Sequence, residues 1–95
     1  METLEMMADT IVANELGEMV ERQARTAELA RDHADFTAKL TAAKPDDKGT
    51  ELRARIAAHN AAAQELALSA LIAHAADVTL KTAQKYAAVS TTEES

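Results

Sequence analysis

The sequence predicts an all-α protein: two long helices joined by one short turn and folded back on each other as an antiparallel hairpin. Three observations lead there. Of 95 residues, 23 are alanine and nine leucine, against one Phe, one Tyr, no Trp, two Gly and one Pro. Alanine loses no rotamer entropy in a helix, whereas a sheet would need β-branched and aromatic residues that are scarce here. Acid–base pairs with the acid four residues ahead recur at Glu18/Arg22, Glu21/Arg25, Asp35/Lys39, Glu51/Arg55 and Asp77/Lys81, the spacing of neighbours on a helix surface. Helix-breaking signals, finally, gather at a single place.

The first helix is expected over 2–42. At about 100° per residue, Leu4, Met7 and Ile11 share a face with Leu29, Phe36 and Leu40, yet Glu18, Arg22 and Arg25 occupy that face between them. Through the middle the apolar stripe is instead Val12, Leu16, Met19, Val20, Ala24 and Ala27. Asn14 and Gly17 lie where the stripe shifts, so either the core face is broad or the helix kinks or splits near Gly17. Four methionines fall within the first nineteen residues, and Met6 and Met7 beside Leu4 and Ile11 suit either core packing or an adaptable client groove.

The turn is expected over 43–50. Pro45 disfavours helix at Lys44, Gly49 supplies a turn position, and Thr50 is a natural N-cap with Glu51 behind it in the first turn. The second helix then runs over 51–89, with a stripe of Leu52, Ile56, Ala63, Leu66, Ala70, His74 and Val78 to pack on the first. Residues 90–95 contain no apolar side chain and read as a disordered tail beyond a single domain of 1–89.

From Ala61 to Ala76 the second helix is apolar on all sides, interrupted only by Gln64, Glu65, Ser69 and His74. A helix of that kind is covered on more than one side. Sixteen residues with a Glu and a His are too short for a membrane span, which needs roughly 20 apolar residues, so another helix is the expected cover. The partner-binding residues are then Leu66, Leu68, Leu71, Ile72, Ala75 and Val78, with a homodimer completing a four-helix bundle when the chain is alone.

Chemistry is sparse by comparison. A net charge of −6, with nine acids and three bases in the first 35 residues, disfavours binding to a phosphate backbone. Without cysteine there is neither disulfide nor thiolate metal site, which suits a reducing cytoplasm, and the start Met-Glu-Thr-Leu-Glu lacks the basic and apolar blocks of a secretory signal. His59 and His74 stand about 22 Å apart along a helix at ~1.5 Å per residue, and Asp32, His33 and Asp35 splay to different sides, so no metal site is expected. With Gly17 and Gly49 as its only glycines the chain has no phosphate loop, and no nucleophile–base–acid set is evident. The expectation is a protein-binding module that is not an enzyme and uses no cofactor.

Helix 2 resembles the C-terminal helix of FlgN-like flagellar export chaperones in Leu52-Arg53-Ala54-Arg55, then Asn60 within an alanine-rich run, then Leu66, Leu71 and Tyr86. Leu29, Phe36, Lys39 and Leu40 before the break resemble that family's first hairpin, for a coverage of about Ala8 to Ala88. The resemblance implies a cytosolic chaperone shielding a helical end of a flagellar axial protein until export. The alternative is a self-assembling helical bundle without a client, and a metal-binding or enzymatic helical protein stands third.

Overall fold

Close approach of two alanine-rich helices sets the architecture. The computed structural model contains α1 (Glu2–Ala43) and α2 (Lys48–Glu94), and describes backbone for residues 2–94 and side chains for 4–88. They lie antiparallel over their whole length, giving a rod of 74 × 17 × 13 Å. Its radius of gyration of 21.2 Å compares with about 12 Å for a compact chain of this length.

Side chains turned toward the opposite helix follow a strict rhythm. In α1 they are Leu16, Val20, Gln23, Ala27, Ala30, Ala34, Thr37 and Thr41, and in α2 Ala54, Ala57, Ala61, Gln64, Leu68, Leu71, Ala75, Val78 and Thr82. Steps of three and four alternate throughout, which is the heptad seam of an antiparallel coiled coil. Among the described residues, the five side chains buried from solvent are all small: Ala27, Ala30, Thr37, Ala57 and Ala61. The Thr37 and Thr41 hydroxyls donate to the carbonyls of Ala34 and Thr37, each at 3.0 Å, so these polar groups sit in the seam without loss.

This seam differs from the expected one. Of the stripe Leu52, Ile56, Ala63, Leu66, Ala70, His74 and Val78, only Val78 turns inward, and Leu66 is 72% exposed. On α1 the Leu4, Met7, Ile11, Leu29, Phe36 and Leu40 face also points outward, as do Val12 and Met19 of the central stripe. Bulky residues draw the eye to one period, while alanine, which lets helix axes approach most closely, carries the other. Nor does α1 split at Gly17: it continues unbroken, and a Cβ added there would meet nothing within 4 Å.

The turn is tighter than expected, because α2 starts at Lys48 rather than Glu51. Asp47 caps it, not Thr50. Its Oδ1 accepts from the amides of Gly49 at 3.0 Å and Thr50 at 3.3 Å, its Oδ2 accepts from the Thr50 hydroxyl at 2.9 Å, and its carbonyl accepts the first helical bond, from Glu51 N at 3.1 Å. Lys44 O accepts from Asp47 N at 3.1 Å, with Pro45 at the second position of that turn, where its fixed φ fits. Gly49 lies inside the first helical turn and has no positive φ, so the chain reverses without using a glycine. At the far end α2 is assigned through Glu94, past the expected 89; the expected disordered tail over 90–95 lies outside the residues described in full.

Candidate functional site

A seam of small side chains leaves the large ones on the outside, and the heptad register sorts them onto two lateral sides of the rod. One side holds an open groove of about 780 Å³ lined by Gly17, Val20, Glu21, Ile72, Ala76 and Leu80. At Gly17 the groove is open, since a Cβ added there would meet nothing within 4 Å. On the opposite side a shallower depression is lined by His33, Thr37, Arg53, Ile56, Ala57 and Asn60. In the same register that side carries Met19, Leu29 and Phe36 on α1 and Ala63, Ala67 and Ala70 on α2. Leu29 and Phe36 are 69% and 58% exposed.

Charge divides between the sides as well. On the groove side Glu21, Glu28, Asp35, Glu51 and Glu65 outnumber Lys48, Arg31 and Arg55. The Arg31 guanidinium hydrogen-bonds Glu65 across the two helices there, which holds its pKa above the ordinary value. The Phe36 side is balanced, with Arg22, Arg53 and Lys81 against Glu5, Glu15 and Asp77.

Two polar contacts pin the register of the helices. Within the seam, the Gln23 amide donates to the Gln64 side-chain oxygen at 2.8 Å and to the Gln64 carbonyl at 3.1 Å. At the open end the Tyr86 hydroxyl donates to Asp9, whose carboxylate also meets Lys85 Nζ at 3.4 Å. The Tyr86 bond holds Asp9 below the usual carboxylate range, and the same bond pushes the Tyr86 hydroxyl up to about 12.

The six expected partner-binding residues do not share one surface. Leu68, Leu71, Ala75 and Val78 are half-buried in the hairpin's own seam, whereas Leu66 and Ile72 are exposed. Ala75 also reaches the groove lining, beside Ile72. Met6 and Met7 stand exposed with Thr10 and Ile11 around a small depression, so core packing does not account for them. Sequence reasoning passed over Gly17 and the Ala63, Ala67 and Ala70 row as site residues, since a missing or small side chain matters only once its neighbours are placed.

Among the described residues no three His, Asp or Glu side chains gather as a metal site would require. By length and composition α2 over Lys48–Ala88 reaches the level at which a helix can cross a membrane, with an 18-residue window at mean hydropathy 1.2. Packing against α1 already occupies one face of that stretch, where Gln64 and Glu65 are both bonded to α1. Compared with family models, characterised proteins and solved structures, the chain matches none.

Proposed function

We propose that this chain is a protein-binding helical module that seats a helical segment of another protein in the groove beside Gly17. The observation that carries the reading is the outward placement of large apolar residues: the most buried of the described positions are alanine and threonine while Ile72, Leu80, Leu66 and Phe36 stand in solvent. A groove lined mainly by small and aliphatic side chains suits an amphipathic helix. The acid excess on that side favours a partner helix with basic flanks. In its most specific version the module is a cytoplasmic export chaperone shielding the helical end of a flagellar axial protein, as the resemblance of α2 to FlgN-like chaperones implies.

Labelled C-terminal peptides of flagellar hook-junction proteins, titrated into the purified chain, test this version by fluorescence anisotropy. Binding tighter than about 100 μM, a free energy near −5.5 kcal/mol, is expected. Gly17→Met puts a bulky side chain into the groove at a position where a Cβ meets nothing, and Ile72→Glu puts a charge in its lining, so each abolishes binding while helix content is kept. Leu71→Glu is a poor probe, because Leu71 belongs to the seam that holds the hairpin together. Peptides that fail to bind, or that bind Gly17→Met equally well, refute the groove as a client site.

A further inference from the structure

We infer that the Phe36 side is covered by a second copy of this chain, in a two-fold dimer whose two turns lie at the same end. The inference does not rest on the groove reading, since it concerns the opposite side of the rod.

Surface area marks the hairpin as thinly covered for its size. The folded chain exposes 7335 Å², whereas a compact monomer of 10.2 kDa exposes about 5,300 Å² and its unfolded chain about 14,800 Å². Folding as a lone hairpin therefore buries about half of the unfolded surface, short even of the ~60% reached by a marginal 60-residue domain. The surplus of about 2,000 Å² per chain is what an obligate homodimer interface removes.

Shape selects a second copy. On the Phe36 side α1 presents a ridge, Met19, Leu29 and Phe36, and α2 presents exposed Ile56 followed by a trough, Ala63, Ala67 and Ala70. In the antiparallel hairpin, where Gln23 bonds Gln64 and Thr41 reaches Thr50, Leu29 lies level with Ala63. Rotation by 180° about the long axis sets α1 of one copy over α2 of the other at equal height. Leu29 of each copy then drops into the partner's trough and Phe36 meets the partner's Ile56, apolar on apolar and twice over, as an isologous interface requires. Rotation about a crosswise axis would instead set ridge on ridge and trough on trough. Charge is balanced on this side, Arg22, Arg53 and Lys81 against Glu5, Glu15 and Asp77, and Asp77, which comes level with Glu15 of the other copy, is already paired with Lys81 at 3.0 Å, whereas the groove side would bring two acid-rich surfaces together.

The chain has no cysteine, so a spin label attached at Lys48→Cys reports the turn alone. Pulsed dipolar spectroscopy on the otherwise native protein, with sedimentation equilibrium in parallel, should give a dimer with labels about 20–30 Å apart, the width of a four-helix bundle with axes ~8–10 Å apart. Leu29→Glu and Ala67→Glu should each convert it to monomer. A monomer at tens of micromolar overturns the inference, as does a label distance near the 74 Å length of the rod. Either outcome leaves peptide binding at the groove untouched, so the two readings fail separately.

Discussion

Replacing Ala27 with leucine adds apolar surface to the middle of α1, and the expected result is loss of stability. Ala27 is 2% exposed and faces α2 across the tightest part of the seam. If space were present, three added carbons would stabilise the fold by about 2.4 kcal/mol at ~0.8 kcal/mol per buried methylene group. With the helices already in contact through alanine, the leucine must push them apart or take a strained rotamer, which costs about 1–3 kcal/mol. Helix propensity hardly enters, since alanine and leucine are both strong helix formers. At ~4–8 °C per kcal/mol for a chain of this size, the melting temperature should fall by about 5–20 °C. Leu66→Ala is the control: that side chain is 72% exposed, and its loss should cost less than about 0.5 kcal/mol. Circular dichroism melts at one fixed protein concentration make the comparison, because self-association couples stability to concentration. An Ala27→Leu variant that melts at or above the parent would refute the close-packed alanine seam.

Gly17→Ala should raise the melting temperature by several degrees, since the new methyl meets nothing and glycine in a helix costs up to about 1 kcal/mol; a lower melting point would show the position to be crowded. Gln23→Leu alone should cost about 1–3 kcal/mol by depriving Gln64 of its seam partner, with Gln64→Leu in the same chain recovering much of it; additive losses in denaturant unfolding would argue against the pair. Asp47→Ala should lower the melting temperature more than Thr50→Ala, because Asp47 accepts both cap bonds; the reverse order would restore Thr50 as the cap. The open end should hold best between two titrations. Asp9, depressed below its ordinary 3.8, contributes stability above that value and loses it as pH falls through the folded pKa. Tyr86 contributes below its ordinary 10.0 and loses its share as pH climbs through about 12. Carboxyl resonances of Asp9 should move to a higher titration midpoint in Tyr86→Phe, and an unchanged midpoint would show that the hydroxyl does not set it.

Fold class was legible because it rests on averages. Alanine content, ion-pair spacing and the break at Pro45 are summed over many residues, and no single misreading disturbs them. The faces were legible only through the middle of α1, where Leu16, Val20, Ala24 and Ala27 of the expected stripe do turn inward; elsewhere they were not, for a physical reason visible at Ile56 and Ala57. Hydrophobic periodicity weights residues by transfer energy and so ranks Ile56 as core, but two helices in contact select for smallness and place Ala57 there instead. Leu68, Leu71 and Val78 entered the partner set for the same reason: without the alanines as the organising row, the half-buried leucines looked like surplus. Asp47 lost to Thr50 in the reading of the cap because both are good caps, and only the position of the Pro45 turn decides which one begins the helix.

Placing alanine inside has a consequence for how binding and folding are coupled. A hairpin with a leucine seam would hold most of its apolar energy in itself and would gain little from a partner. Here the buried side chains are four alanines and a threonine, which release little apolar surface from water, while Leu29, Phe36, Ile56, Leu66 and Ile72 keep theirs exposed. Much apolar surface is therefore left for contacts outside the chain, while the half-buried Leu16, Val20, Leu68, Leu71 and Val78 hold the seam beside polar contacts such as Gln23 with Gln64 and Asp9 with Tyr86. Under that division, substitutions on the outer faces change assembly more than helix content, and substitutions in the seam unfold the rod. A partner helix that covers either side should raise the melting temperature as it binds, by an amount that grows with its concentration.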